Sequence, residues 1–163
     1  GLGFGAGVLC AALALPLWQA GWQAWALQPQ LVARHVHALQ AQALVDVVSS
    51  DRHTVKPWFQ GRVDYAPPVF DFAEQGFVLA GGRIEHLRGS AVATLAYRRD
   101  RHVIDLYVWP ADGAPRTPEH HVERGFNVVH WADGAMQYWA VSDVERAQLD
   151  QFAALWRVRA AAQ

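Results

Sequence analysis

The chain has 163 residues, of which 52% are hydrophobic and 18% are charged, against roughly 25% charged residues in an average soluble domain. Residues 1–33 contain no Asp, Glu, Lys or Arg, so all 14 basic and 15 acidic residues lie in the remaining 130 positions. The net charge of −1 excludes both a basic surface for direct nucleic-acid binding and an acidic disordered tail. The single cysteine, Cys10, excludes a disulfide framework, a Cys-x-x-Cys redox pair and a cysteine-rich zinc site.

The uncharged N-terminal stretch predicts a membrane span. Residues 1–18 contain no polar side chain, and a helix continued to about residue 20 at about 1.5 Å per residue would cross a hydrocarbon core of about 30 Å. Trp18, Trp22 and Trp25 follow, as in the aromatic belt at a membrane interface. We therefore expect a transmembrane helix in contact with membrane lipid.

The domain boundary follows from this span. We expect residues 1–28 to be the transmembrane segment with its Trp-rich interfacial flank, and residues 29–163 to form one domain with its own core. Two alternatives are a buried soluble helix and a cleaved signal peptide with a small-x-small site at Ala24-Trp25-Ala26. Because the chain begins with Gly1 rather than Met, we expect further sequence upstream.

Hydrophobic periodicity predicts the elements that follow. Apolar residues recur at three- and four-residue steps from Leu31 to Val48, which predicts an amphipathic helix that starts after Pro29. Short apolar runs divided by turn residues then predict an antiparallel β-meander of about five or six strands. These runs are 77–79, 83–87, 91–97, 103–109, 126–131 and 136–141, with a surface loop at 110–118.

A last helix completes the predicted fold. Ser142 and Glu145 have the spacing of a capping box. The apolar side of the helix consists of Val144, Leu149, Phe152, Leu155 and Trp156. The expected class is therefore α+β, with an N-terminal hydrophobic transmembrane helix and then a β-meander flanked by an N-terminal and a C-terminal helix.

The sequence contains no recognisable catalytic motif. No serine stands in a Gly-x-Ser-x-Gly elbow, and there is no His-Glu-x-x-His helix, P-loop or haem-attachment motif. His120 and His121, flanked by Glu119 and Glu123 in a predicted loop, are the best local cluster for a metal, but adjacent histidines in an acidic loop are more often solvated than metal-bound. We therefore expect no catalytic residue, no metal and no cofactor.

A group of polar and aromatic residues follows the first predicted helix. His53, Lys56, Trp58 and Phe59 are candidates for a ligand or partner surface, with Trp58 as the aromatic anchor beside a cation. Pro57 favours a non-helical loop here, and loops held on a rigid scaffold often carry recognition residues. The alternative is structural, with Trp58 and Phe59 packing this segment onto the sheet.

Three ordered segments carry a family resemblance. They are SSDRHTVKPWFQGRVDYAPPV at 49–69, the stretch from GGR at 81–83 through YRR at 97–99 to VWP at 108–110, and the stretch from GFNVVHW at 125–131 to YWAVSD at 138–143. Together they resemble the extracytoplasmic region of bacterial membrane-anchored anti-sigma factors, the transmembrane regulators of extracytoplasmic-function sigma factors. The likeness extends from Val47 to Phe152.

The resemblance implies a regulator of transcription rather than an enzyme. It implies a cytoplasmic helical domain that sequesters a sigma factor, a single span of the inner membrane, and a periplasmic sensing domain from about residue 29 onward that receives a protein or small-molecule signal. The family's cytoplasmic His-x-x-x-Cys-x-x-Cys zinc motif does not occur in this sequence, so no sigma-binding or zinc-binding residue is carried over. The alternative function is a small secreted or membrane-tethered periplasmic metal-binding protein or enzyme.

Overall fold

Helices cover both faces of one antiparallel sheet in this chain, for which a computed structural model describes residues 26–163. In chain order the elements are helix α1 (residues 26–40), strand β1 (Val47–Val48), helix α2 (Arg52–Trp58), a 3-10 turn (Ala73–Gln75), strands β2 (Val78–Leu87), β3 (Ser90–Arg99), β4 (His102–Pro110), β5 (Arg116–Glu123), β6 (Phe126–Ala132) and β7 (Met136–Ser142), and helix α3 (Arg146–Ala161). The predicted α+β class with an antiparallel sheet is confirmed.

The predicted transmembrane helix and its tryptophans up to Trp25 lie outside the described residues. From residue 26 to residue 163, no helix is both long enough and apolar enough to cross a bilayer.

The sheet consists of two meanders rather than the predicted one. Its seven strands follow the order β1-β2-β3-β4-β7-β6-β5, with every neighbouring pair antiparallel. The first meander is β2-β3-β4 and the second is β5-β6-β7, and they join where β4 pairs with β7. Residues 111–115 carry the chain from the end of β4 across to the outer edge, which is a connection that local periodicity does not encode.

The two edge strands were missing from the predicted set of five or six. Strand β5 has the sequence RTPEHHVE and is largely exposed, with Pro118 and three charged residues at the edge. Polar side chains and proline are typical of edge strands because they discourage further pairing, but they also remove the apolar alternation that identifies a strand. His120 and His121 therefore lie in a strand, not in a loop.

The first predicted helix is displaced toward the N-terminus. Helix α1 includes Pro29 and ends at residue 40, whereas the prediction placed the helix after Pro29 and extended it to Val48. Gln42 adopts the left-handed conformation with φ of 53°, which ends the helical path. Val47 and Val48 then pair with Gly82 and Gly81 of β2, as suits β-branched side chains.

The main core lies between the sheet and the helices α2 and α3. Leu149, Phe152 and Trp156 of α3 are fully buried, as the apolar side of the predicted helix requires. The Trp156 ring lies 4.7 Å from the Phe70 ring and the Phe152 ring lies 5.0 Å from the Tyr97 ring, measured between centroids. Such offset and edge-to-face aromatic contacts add to the stability from buried area.

The predicted capping box of α3 does not form. Glu145 is the N-cap residue and makes no side-chain capping hydrogen bond. The Ser142 hydroxyl instead donates to the Val103 carbonyl at 2.7 Å and accepts from the Val144 amide at 3.1 Å. Ser142 is a buried residue at the end of β7, so its hydroxyl satisfies sheet and loop groups rather than the helix.

Helix α1 covers the opposite face of the sheet. Leu27, Leu31 and Val32 are buried against a second cluster of sheet residues. The sheet side of this cluster consists of Leu87, Val92, Tyr107, Val128, Trp139 and Val141. This interface holds the N-terminal end of the described chain against the sheet.

Candidate functional site: a buried charge network beneath helix α1

A charged carboxylate lies in the middle of the interface between α1 and the sheet. Asp105 is fully buried in β4, where its neighbours Ile104 and Leu106 are apolar and buried on the other face. Its Oδ1 accepts a hydrogen bond from Arg83 Nη1 at 2.9 Å, and its Oδ2 accepts one from Arg83 Nη2 at 2.7 Å. This two-point geometry is the strongest form of an arginine–carboxylate pair.

Arg83 reaches Asp105 from two strands away. Arg83 is on β2, and β3 lies between it and β4. The β3 residues at this level are Thr94, opposite Arg83, and Ala96, opposite Asp105. Because both are small, the guanidinium can cross over β3 beneath α1. A large side chain at either position would occupy the same space.

Helix α1 supplies the third member of the network. His35 is fully buried, and its Nδ1 lies 2.7 Å from Asp105 Oδ2. An ionised carboxylate has no proton to donate, so His35 Nδ1 carries the proton and donates this hydrogen bond. The opposite nitrogen, Nε2, has no hydrogen-bond partner among the described residues, and the ring packs edge-on against Phe126 at 5.4 Å.

Further polar contacts tie α1 and its C-terminal loop to the same centre. The Tyr107 hydroxyl donates to the Leu31 carbonyl at 3.1 Å, and Arg83 Nη1 donates to the Leu44 carbonyl at 2.9 Å. Arg83 Nε also donates to Glu85 at 2.9 Å. We call Asp105, Arg83, His35, Glu85 and Tyr107 the Asp105 network. Together with the hydrogen bond that Arg34 of α1 donates to Glu85 at 3.1 Å, the network joins α1 to three points of the sheet.

The pKa shifts identify the charge states within the Asp105 network. Burial by itself would raise the pKa of Asp105, but hydrogen bonds from His35 and Arg83 and the charge of Arg83 outweigh burial and lower that pKa below its ordinary value. Burial by itself would lower the pKa of Arg83, but Asp105 outweighs it and raises that pKa. Burial and the charge of Asp105 raise the pKa of Tyr107, which therefore stays a hydroxyl donor. At neutral pH the centre is an ion pair.

The geometry is suited to holding two elements together rather than to acid–base chemistry. A histidine oriented by a carboxylate also occurs in catalytic triads, where the other ring nitrogen meets a nucleophile. In residues 26–163, His35 Nε2 meets no hydroxyl and the ring has no exposed surface. A substrate could not reach it while α1 remains docked.

The surface proposed from the sequence divides into exposed and buried residues. It forms helix α2 rather than a non-helical loop, because Asp51 caps the helix by accepting from the His53 amide at 2.8 Å and Pro57 falls only in the last turn. His53 and Lys56 are exposed, whereas Phe59 is 1% exposed and belongs to the main core.

Trp58 lies between these extremes. It is half-buried against the main core. The Arg62 guanidinium stacks on its ring at 4.5 Å from the centroid and donates to its carbonyl at 2.6 Å. The structure therefore brings Trp58 together with Arg62, not with Lys56, as its nearest cation among the described contacts.

The candidate histidine pair on β5 is held by protein groups. His120 Nδ1 lies 3.1 Å from Asp150 Oδ1, and His120 Nε2 lies 3.0 Å from Asn127 Oδ1, so both ring nitrogens are engaged. These contacts join β5 to β6 and α3. In the described part of the chain, no group of three or more His, Cys, Asp or Glu side chains is placed to hold a metal ion.

Sequence reasoning missed Asp105, Arg83 and His35 as a site. One indication was available, since a charged residue within the apolar run 103–109 is rarely buried without a partner. The partners lie 22 and 70 residues away along the chain, which no local pattern reveals. Comparison of the chain with protein-family profiles, curated proteins and solved structures found no match.

Proposed function

We propose that this chain is the membrane span and extracytoplasmic regulatory domain of a membrane-anchored anti-sigma factor. The observation that carries the proposal is the Asp105 network, because it couples the sheet to helix α1, the first described element after the predicted membrane span. A change in the sheet domain that disturbed this network would alter how α1 is held. A regulator that passes a signal across a membrane needs such a connection.

The residues of the family resemblance support the same proposal. Arg83 belongs to the GGR motif at 81–83, so one of the resembling motifs supplies the ion pair of the network. Gly82 of that motif lies against Phe59, from the first resembling segment, and a Cβ at this position would lie 2.7 Å from the Phe59 ring. The resembling segments thus meet in the core and at the α1 interface.

The remaining parts of the proposal concern topology and partners. The predicted segment 1–28 would anchor the chain in the inner membrane, with lipid around the part that precedes α1, because Leu27 of α1 packs against the sheet. The domain from about residue 29 would lie in the periplasm. Sigma-factor binding would belong to an upstream cytoplasmic domain. The signal would be a periplasmic protein or a small molecule that acts on the sheet domain.

A reporter experiment in the producing bacterium tests the function. Transcription from a promoter of the partner sigma factor is measured with the intact gene, with residues 29–163 deleted, and with Asp105→Asn. We expect both changes to alter reporter output while the anchored protein remains detectable by immunoblot. Asp143→Asn is the matched control and should leave output unchanged, because Asp143 is an exposed carboxylate whose ion pair among the described residues is with His102.

Two results would contradict the proposal. One is a reporter that responds to neither the deletion nor Asp105→Asn. The other is recovery of the intact gene product wholly in the soluble fraction after alkaline carbonate extraction, since a membrane anchor resists that treatment.

A further inference from the structure

A cavity of about 310 Å³ lies on the α1 side of the sheet, where β4 ends and β7 begins. It is separate from the Asp105 network. Its walls include Leu27 of α1, Trp109 of β4, Arg116 of β5, His130 of β6 and Trp139 of β7. Its size is at the lower end of the range for small-molecule sites, about 300–1,000 Å³. A ligand with a single ring is therefore the appropriate size class.

One wall is a buried aromatic stack with an unsatisfied polar group. The His130 ring lies parallel to the Trp139 ring, at 11° and with 3.9 Å between centroids. The His130 side chain is 6% exposed and forms no hydrogen bond with another described residue. The indole Nε1 of Trp139 is buried and also has no hydrogen-bond partner among the described residues. Buried polar side chains normally have a partner. A polar ring without one at the wall of a cavity indicates a place for a ligand atom.

The charge of the cavity favours an anion. Arg88 and Arg116 line it together with a single acidic residue, Asp112. Arg116 is exposed and forms no ion pair within residues 26–163. Burial, with the nearby charges of Arg116 and His121, lowers the pKa of His130 to about 4, so His130 is a neutral imidazole at pH 7 with one N–H to donate.

We propose that this cavity binds a small aromatic carboxylate, with its ring against Trp109 and Leu27 and its carboxylate between Arg116 and His130. The apolar walls select for the ring. The guanidinium and the imidazole N–H both donate to the carboxylate oxygens, which only accept. The proposal does not depend on the proposed function, because it concerns binding by the chain itself.

Binding of benzoate to the purified 163-residue chain in a neutral detergent tests the proposal. The chain is labelled with ¹⁵N-tryptophan, and indole N–H resonances are followed during titration. We expect saturable shifts at Trp109 and Trp139, with Trp156 on the opposite face of the sheet unchanged as an internal reference. Benzamide, which has the same ring without the charge, should bind at least about tenfold more weakly, since a hydrogen bond to a charged group contributes about 1.5–3 kcal/mol.

Matched arginine variants distinguish specific binding in the cavity from nonspecific electrostatic attraction of the anion to the protein surface. Arg116→Gln should weaken benzoate binding by about tenfold or more. Arg101→Gln, at the opposite end of β4, should leave binding unchanged. The proposal is overturned by an absence of saturable shifts, by equal affinity for benzoate and benzamide, by equal affinity for acetate, or by equal weakening in the two arginine variants. Because Arg116 is exposed, its replacement should not prevent folding.

Discussion

Removal of the charge on Asp105 should destabilise the protein far more than removal of an exposed carboxylate. In Asp105→Asn the amide keeps the shape but has only one acceptor oxygen, while three donor atoms surround it within 2.9 Å: Arg83 Nη1, Arg83 Nη2 and His35 Nδ1. In either amide orientation, the NH₂ group faces at least one donor. The Arg83 charge, in a side chain that is 5% exposed, is also left without its main partner.

The expected magnitude follows from this geometry. Breaking a buried ion pair by removing one partner costs about 3–5 kcal/mol, which is a large share of the 5–15 kcal/mol that stabilises a typical domain. The exposed pair of Asp143 and His102 should be worth at most about 1 kcal/mol, so Asp143→Asn is the control. The double variant Arg83→Met/Asp105→Leu removes both charges and should be more stable than Asp105→Asn by about 2 kcal/mol or more.

Urea unfolding of the purified chain, followed by tryptophan fluorescence, measures these differences. A loss of less than about 1 kcal/mol in Asp105→Asn would contradict a buried ion pair at this position, since that is the range of an exposed pair. A double variant no more stable than Asp105→Asn would show that buried Arg83 does not need its carboxylate.

Three further predictions concern other parts of the chain. Gly81→Ala should lower the free energy of unfolding by more than about 2 kcal/mol in the same urea assay, because Gly81 has φ of 145° and an added Cβ would collide with the Val47 carbonyl oxygen. A loss under about 0.5 kcal/mol would contradict the close approach of β1 and β2. Trp58→Ala should lower the free energy of unfolding by about 1–3 kcal/mol, because Trp58 is a half-buried aromatic residue. Lys56 is exposed, so Lys56→Ala should change that free energy by no more than about 0.5 kcal/mol. Equal losses in the two variants would contradict this difference in burial. Burial lowers the pKa of His130 in the folded protein to about 4, below its ordinary 6.5, so its contribution to stability is present above pH 6.5 and is lost as the pH falls toward 4. The difference in unfolding free energy between wild type and His130→Phe should therefore change by up to about 3 kcal/mol between pH 6.5 and pH 4. A difference that stays constant with pH would show that His130 is not buried in its neutral form.

The sequence predicts best where apolar residues mark at least one face of an element. The run 103–109 corresponds to β4, which is a short, almost continuous apolar run because both of its faces are buried. The apolar side of the last helix corresponds to the buried face of α3, because its apolar residues recur at helical spacing. Strand β5 repeats polar residues at an edge and gives no such pattern. The connection from β4 to β5 depends on pairing between distant strands, which periodicity cannot encode.

The site was hidden from the sequence for a related reason. In the sequence, His35 stands four residues from both Leu31 and Leu39, and this position in an apolar stripe indicates packing rather than a charge partner. Only the antiparallel register, which places Arg83 beside Thr94 and Asp105 beside Ala96, shows that Asp105 and Arg83 lie within reach of each other and of α1. At α2 the sequence misled in another way. Pro57 favours a loop there, but capping by Asp51 produces a short helix in which Pro57 falls in the last turn.

Hydrogen–deuterium exchange of α1 tests most directly whether the Asp105 network holds this helix to the sheet. In the wild-type chain, the amides of residues 31–40 should exchange as slowly as those of β4, because opening α1 requires separating the buried ion pair from His35. In Asp105→Asn, exchange in α1 should accelerate by a larger factor than exchange in α3, which packs on the other face. Equal acceleration in α1 and α3, or unchanged exchange in α1, would contradict the account.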